Sequence, residues 1–402
     1  MSGIDLYVDE IDGRLHAAVV QKTVLTDLYV DALDQEAGWG SIYLGRVTKI
    51  DKRLDAAIVD LGNNISGLLQ AKHVYLPEAG PAADHSGIAD LLHPGQMVMV
   101  QVKAEAKKAS QHEKHKMPRL TMLLYIMGQY LIHSPVAGQV TISARIENED
   151  VLKFTSRLKG KGGWLVQHNA EDAGEEHLLN EARHLRAEWQ RIADAMETTG
   201  DKPRLIKAGP NALARALNDL GARRFDHIHI GNKNTFAQME KWCEQHDPAL
   251  ATSKRLRLFK PEKLGQRLFE VNDLFSEIAM LEEPVVHLSG GGSIIIEPTH
   301  ALTVIDVNQG NGLSAAAVNQ EAAREIARQM RLRNMSGAIL VDFIGMHLKA
   351  ERIRLIETME KLLAWDTANA EVHGFTRLGI MELTRKRRTA TYAEKIKVYL
   401  NK

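Results

Sequence analysis

The sequence predicts an α+β chain of several domains, and three observations carry that expectation. Its 402 residues exceed what one hydrophobic core ordinarily serves, and a hydrophobic share of 44% is ample for real cores. Short alternating strands separated by turn signals fill residues 39–121, a pattern that suggests a small barrel. Towards the C-terminal end, two apolar strands that each finish in an aspartate flank one amphipathic helix.

Taken in order, residues 1–38 read as short strands, with Asp12-Gly13 as the turn between DLYVDE and LHAAVV. The barrel region supplies GSIYLGRVTKI, DAAIVDLG, GLLQ and MVMVQVKAEA, interrupted by a loop rich in Pro, Gly, His and Asp from Pro77 to Gly95. Next come the strands LYIMGQYLIHS and QVTISARI, a helix, the strand GWLVQHN and a long polar helix from about Glu175 to Thr198. From Pro203 helix and strand signals alternate, including FDHIHIG, whose His227 and His229 share one face. Nothing near them in sequence completes a metal set, so they read as ordinary surface or core histidines. The same holds for His112 and His115, which sit in a lysine-rich loop.

The stretch from Ser293 to Met346 is the most informative. Asp306 follows Leu302, Val304 and Ile305, and Asp342 follows Ile339, Leu340 and Val341, so each carboxylate ends a run that reads as a core strand. Both are therefore expected to be buried, and two buried carboxylates near each other need a cation. Between them Ala315–Asn334 has helical spacing at Val318, Ala322, Ile326 and Met330, after a Gly-Asn-Gly turn and before Gly337. A strand, a helix and a strand suggest a right-handed crossover, which sets both aspartates at the same strand ends, one strand spacing apart. That arrangement suits one hard metal ion. A structural reading stays open, with Asp306 capping a turn and Asp342 paired to a core arginine.

Composition narrows the partners less than the motifs do. Lys plus Arg equals Asp plus Glu at 51 each, so a polyanion partner would have to use local basic surface. Three clusters offer it: Lys103, Lys107, Lys108, Lys114, Lys116 and Arg119; Lys254, Arg255 and Arg257; and RKRR at Arg385–Arg388. Each alone reads as a solvated face, whereas three together make a nucleic-acid surface a reasonable expectation. The single cysteine, Cys243, falls on an expected helix, Thr235 to Gln245, as a small buried side chain; an intrachain disulfide and a cysteine zinc site are excluded. An acidic N-terminus and the absence of any window approaching a membrane span lead to the expectation of a cytoplasmic chain with no membrane partner.

Several collinear segments carry a family likeness: the barrel run GSIYLGRVTKIDKRLDAAIVDLGNNISGLL, then SGGGSIIIEPTHALTVIDVN, NQEAAREIARQMRLRN, GAILVDFIGM and FTRLGIMELTRKR. In this order they resemble the catalytic half of the ribonuclease E/G family, densely over about residues 286–390, clearly in the barrel and more loosely over 122–285. The resemblance implies an RNase H-like domain split between 1–38 and 206–285. It further implies an inserted OB-fold barrel of the ribosomal-protein type at 39–121, a 5′-sensor subdomain at 122–205 and a DNase I-like catalytic subdomain at 286–402. It places the family's metal-binding aspartates on Asp306 and Asp342 and its catalytic asparagine on Asn308. The implied activity is Mg²⁺-dependent endonucleolytic cleavage of single-stranded RNA, with Mn²⁺ as a substitute ion and with 5′-phosphate and 3′-hydroxyl products. Few protein carboxylates and several waters suit Mg²⁺, and Asn308 shares a strand face with Asp306.

Departures from the family pattern carry their own expectations. The barrel positions of two RNA-stacking aromatics hold Ile58 and Leu68, so stacking worth about 1–3 kcal/mol per base gives way to aliphatic contact. RNA would then be held more electrostatically, by residues such as Lys108, Lys116 and Arg119. Where the family reads Arg-Thr to grip a 5′-monophosphate, this chain reads Gln167-His168, while Gly128, Ile132 and Arg377 match other sensor positions. The family's Asp-Phe-Ile-Asp becomes Asp342-Phe343-Ile344-Gly345. Without a Cys-Pro-x-Cys pair the chain reads as a short form lacking the zinc-link and the small C-terminal domain, so no structural zinc and no zinc-linked oligomer are expected. The alternative function is an RNA-binding protein of the same fold with little or no nuclease turnover; a metal-dependent DNA nuclease is disfavoured by the likeness alone.

Overall fold

A computed structural model describes residues 3–76, 80–81, 87–107, 116–158, 162–197, 200, 202–311, 314–346 and 348–400. It divides into two units, Met1–Ala17 with Asp31–Phe259, and Ala18–Val30 with Lys260–Lys402. Among the described residues, no helix is long and apolar enough to cross a membrane.

The chain opens with strands β1 (Ile4–Ile11), β2 (Arg14–Gln21) and β3 (Val24–Ala32). Asp12 and Gly13 turn β1 into β2 with positive φ at both, 50° and 70°, as a tight hairpin requires. The barrel follows from β4 (Ile42–Asp51), β5 (Ala56–Gly62), β6 (Ile65–Gln70), β7 (Met97–Ala104) and β8 (Arg119–Thr121). Hydrogen bonds run β4-β5-β6-β8-β7, and β7 pairs back onto β4, closing a five-stranded barrel. Alternation decides what fills it: Val47, Val59, Leu61, Leu69, Val100, Val102 and Leu120 point inward and are almost wholly buried. Closure leaves no free edge within the ring.

A second sheet is built from β9 (Ile126–Met127), β10 (Leu131–Ser134), β11 (Val140–Ile142) and β12 (Gly163–Val166). Its order is β9-β10-β12-β11, and α1 (Glu175–Glu197) sets Leu178, Ala182, Leu185 and Ile192 into the same core as Leu131, Trp164 and Val166. Strand β13 (Arg204–Lys207) adds to β4. After α2 (Ala212–Leu220) come β14 (His227–Ile230), α3 (Lys233–His246) and β15 (Leu256–Leu258). Here β14 runs parallel to β1 on one side and to β15 on the other. Cys243 lies on α3, fully buried, where burial and then the acidic neighbours Asp247, Glu240 and Glu244 push its thiol up to about 12.

In the second unit a six-stranded sheet takes the order β16 (Val285–His287), β17 (Ser293–Pro298), β18 (Leu302–Asn308), β19 (Gly337–Asp342), β21 (Met381–Arg385), β20 (Ala370–Phe375). The pair β18–β19 is parallel, joined by α4 (Ala315–Leu332), and α5 (Lys349–Leu363) precedes β20. Ser314 caps α4 by accepting from the Ala317 amide at 3.3 Å, and the helix stops where Asn334 turns left-handed at φ 46°. Ile294, Ile296, Ile305, Val307, Ile339 and Val341 meet Val318, Ala322, Ile326 and Met330 of α4 in one core. Each such large side chain contributes about 1.5–3 kcal/mol through burial.

Two of the three expected basic surfaces lose arginines to internal partners. Arg385 alternates inward with Met381 and Leu383, is buried, and makes a two-pronged ion pair with Asp366 while donating to Asn334 and the Met335 carbonyl. Arg387 pairs with Glu394 at 2.9 Å, so two arginines of RKRR are spent on internal partners while Lys386 stays exposed. Arg255 likewise spends its guanidinium on the carbonyls of Phe225 and Ala222.

Candidate active site

Parallel pairing of β18 with β19 sets Leu302 beside Ala338, Val304 beside Leu340 and Asp306 directly beside Asp342. Neighbouring strands lie about 4.8 Å apart, so the two carboxylates are next to each other on one face. Asn308, two residues beyond Asp306, shares that face, and its Nδ2 donates to Asp306 Oδ2 at 2.9 Å. All three side chains are exposed, which corrects the expectation of a buried pair. The physical reason is that α4 and α5 cover only one face of this sheet. Leu302, Val304 and Leu340 belong to the other face and are only half-buried. Two like charges directly opposite each other repel, and an all-oxygen donor set of two carboxylates and an amide fits a hard divalent cation.

Two segments beside these strand ends are fixed to the first turns of α4. Buried Asn319 donates from Nδ2 to the Ile344 carbonyl at 2.8 Å and accepts from the Ile344 amide at 3.0 Å, clamping the segment just after Asp342. Glu321 accepts from the Gly290 amide at 3.0 Å and from the Ser289 hydroxyl. Those contacts hold its carboxyl below the usual range, the Ser289 bond first. The turn it pins lies against the loop that follows Asn308, since a Cβ at Gly310 would overlap the Gly291 carbonyl.

In the first unit the barrel aligns three of the expected RNA contacts. Register places Ile58 beside Leu68 and Leu68 beside Arg119, with Lys49 on the far side of Ile58. The outward row is therefore Lys49, Ile58, Leu68, Arg119, two half-buried aliphatic residues between two exposed cations. Lys116 is exposed near the end of this row, and Lys108, with His112 and His115, lies outside the described residues. Beside the row, burial and the charges of Lys103, Lys72 and Arg119 push His73 down to about 4.

The sensor-like residues take unequal parts. Gln167 Nε2 donates to the carbonyls of Gly128 at 2.9 Å and Gln129 at 3.4 Å, so its amide is spent on the loop that joins β9 to β10. The same loop gives three backbone amides, from Gln129, Tyr130 and Leu131, to the buried carboxyl of Glu181 on α1. A Cβ at Gly128 would overlap that carboxyl, which is why glycine stands there. Ile132 pairs with Leu165 in β10–β12 and serves the sheet. His168 is pushed down to about 4, by burial first and then by Arg224 and Arg145, and is uncharged at neutral pH. Arg377 belongs to the second unit, between the strands β20 and β21.

The ribonuclease E/G family profile matches residues 125–388, which include the aspartate pair and Asn308. The chain belongs to the ribonuclease E/G family. Among its relatives, ribonuclease G of Escherichia coli K12 is 29% identical over 402 residues, covering 95% of this chain and 80% of the relative. Ribonuclease E of Synechocystis sp. is 32% identical over 392 residues, covering 92% of this chain and 55% of the relative. Ribonuclease E of Nostoc sp. is 32% identical over 391 residues, covering 92% of this chain and 54% of the relative.

Within this ribonuclease E/G chain, reading the sequence missed several residues that the fold brings to these places. Glu321 falls on the polar side of α4, where nothing in the pattern separates it from solvated residues, whereas Asn319 stands on the buried face among Ala322, Ala323 and Ile326, a polar interruption that helical spacing alone could have flagged. Lys49 could be found only from strand register, and Arg145 and Arg224 only from tertiary placement. His227 and His229 also change meaning: Asp5, brought alongside by β1, completes a group of three possible metal ligands.

Proposed function

We propose that this chain is an endoribonuclease that cleaves single-stranded RNA with Mg²⁺ held by Asp306 and Asp342, leaving 5′-phosphate and 3′-hydroxyl ends. The observation that carries the reading is the side-by-side placement of Asp306 and Asp342 on an open sheet face, with Asn308 bonded to Asp306. Family membership supports the ribonuclease part, since relatives named ribonuclease G and ribonuclease E span nearly the whole chain.

When bound, such an ion supplies positive charge against the charge developing on the scissile phosphate and makes water a better nucleophile. The remaining work falls to the chain. Asp306 and Asp342 present carboxylate oxygens from adjacent strands, and Asn308 holds Asp306 in one rotamer through its amide while keeping its own carbonyl free to orient a water or a ribose hydroxyl. Asn319 and Glu321 hold the segment after Asp342 and the Ser289–Gly290 turn in place. On the barrel, Arg119 and Lys49 attract phosphates while Ile58 and Leu68 give bases an apolar rest. Lys116 belongs to the same surface, with Lys108 as its expected neighbour in sequence.

Incubating 5′-labelled single-stranded RNA, and its DNA counterpart, with and without Mg²⁺ tests the proposal. Cleavage of the RNA alone, only with the ion and with ligatable 5′-phosphate products, is the expected result. Tight RNA binding without any cut at any divalent ion concentration would instead make the chain a binding protein of this fold.

A further inference from the structure

The first unit brings together a further cluster of side chains with metal-ligand chemistry, separate in sequence from the aspartate pair. Register between β1 and β14 places Asp5 beside His227 and Tyr7 beside His229. Leu6, Val8, Ile228 and Ile230, all at 0% exposure, fill the opposite face, so Asp5, Tyr7, His227 and His229 share the half-exposed one. One ligand atom from each of Asp5, His227 and His229 lies within 4.8 Å of the others, and His227 Nδ1 stands 3.2 Å from Asp5 Oδ1. His229 stacks on Tyr7 with ring centroids 4.8 Å apart and planes 8° from parallel, which fixes the ring's orientation.

We propose that Asp5, His227 and His229 form a site for one divalent transition-metal ion of the zinc type, bound through two imidazole nitrogens and one carboxylate oxygen. The donor set argues for the ion: imidazoles suit zinc, cobalt, nickel and ferrous iron, whereas Mg²⁺ prefers oxygen alone. Three protein ligands with an open position for water is a common zinc arrangement, and half-burial leaves that position accessible. Ligand atoms held about 2.0–2.2 Å from one ion sit roughly 3–4 Å from each other, so small rotations of the two rings about their Cβ bonds close the group. An imidazole ligates as its neutral ring, so binding here competes with protons and strengthens as pH rises. Arg257 is the opposing influence, next to His229 in register on β15; its Nε is turned towards the Lys254 carbonyl at 3.3 Å, and the Asp5 charge offsets it.

Such an ion would tie the first strand of the chain to a strand 222 residues later. Binding to the folded chain alone stabilises it by mass action, and the effect is largest when the ligands are far apart in sequence. The site is thus a clip for the unit, independent of cleavage.

The test uses the full chain after dialysis against a chelator, titrated with Zn²⁺ by calorimetry and with Co²⁺ by visible absorption. Expected results are one ion per chain at micromolar metal, ligand-field bands from cobalt bound by nitrogen and oxygen, a Tm that rises with free Zn²⁺, and no displacement by millimolar Mg²⁺. His229→Ala, His229→Gln and Asp5→Asn should each weaken binding about tenfold or more, with circular dichroism confirming that each is folded, whereas Asp306→Asn should bind zinc as the parent does. Absence of saturable binding, or equal binding by the folded His227→Ala/His229→Ala double variant, overturns the assignment and leaves an ordinary Asp5–His227 hydrogen bond.

Discussion

Replacing Asn319 by alanine separates the framework of the candidate site from the residues proposed to do chemistry. Asn319 is 1% exposed and makes two complementary bonds to Ile344, at 2.8 Å and 3.0 Å, two residues beyond Asp342. Truncation leaves the Ile344 amide and carbonyl without these partners, at about 1–3 kcal/mol for each group that water cannot reach and less for one that it can. Because Ile344 is half-buried, the expected loss of stability is about 2–4 kcal/mol. The functional effect follows from position, not stability: an unclamped segment lets the Asp342 carboxylate wander, and a misplacement of about 1 Å costs on the order of 10²-fold in rate. Urea unfolding measures the first effect, and single-turnover RNA cleavage at limiting and saturating Mg²⁺, under conditions where the variant stays folded, measures the second. A higher Mg²⁺ requirement and at least a tenfold slower cut are expected. A variant that loses the stability yet keeps the parent rate and Mg²⁺ dependence would refute the idea that Asn319 positions Asp342.

Further expectations concern both units. Asp342→Asn should abolish cleavage, leave RNA affinity within a few-fold and hold or raise stability in the absence of metal, because it removes one of two facing charges; filter binding and a thermal melt check this. Gly128→Ala should lower stability by roughly 3 kcal/mol, since the new methyl drives the Glu181 carboxyl from its three backbone amides, as denaturant titration would show. Glu181 itself is raised from 4.5 to about 7, by burial against the opposing pull of those amides. An acid raised in the folded state favours folding most below the unfolded value, so its contribution is present below about pH 4.5 and is lost as pH rises through about 7. Glu181→Gln should remove that slope from a pH series of melts. Discrimination between 5′-monophosphate and 5′-hydroxyl RNA should be weak, because the Gln167 amide is already given to two carbonyls and His168 is uncharged at neutral pH. Competing cleavage of two RNAs that differ only at the 5′ end measures this, and a strong monophosphate preference would point to Arg145 and Arg224.

The crossover around α4 was legible because each local signal agreed: a period of two in both strands, a helical period between them, a Gly-Asn-Gly turn before the helix and Gly337 after it. The barrel was legible for the same reason. Burial of the aspartates was misread because an apolar run cannot reveal that only one face of its sheet is covered; half-buried Leu302, Val304 and Leu340 look in sequence like core residues. Within RKRR, Arg385 was misread as surface although its signal was available, since Met381, Leu383 and Arg385 already alternate inward. The group formed by Asp5, His227 and His229 was not legible, because parallel pairing of strands more than 200 residues apart leaves no local trace. Glu181 is hidden in the same way, a carboxylate on a helix whose amide partners lie about fifty residues earlier.

The most direct test of the central claim is the single-turnover rate of cleavage of one labelled single-stranded RNA across a Mg²⁺ titration, for the parent chain and for Asp306→Asn. Saturable dependence of the parent on Mg²⁺, with no cleavage by the variant at any Mg²⁺ concentration despite parent-like RNA binding, is the predicted result. Cleavage by Asp306→Asn at the parent rate, or parent cleavage that persists in a chelator, would contradict it.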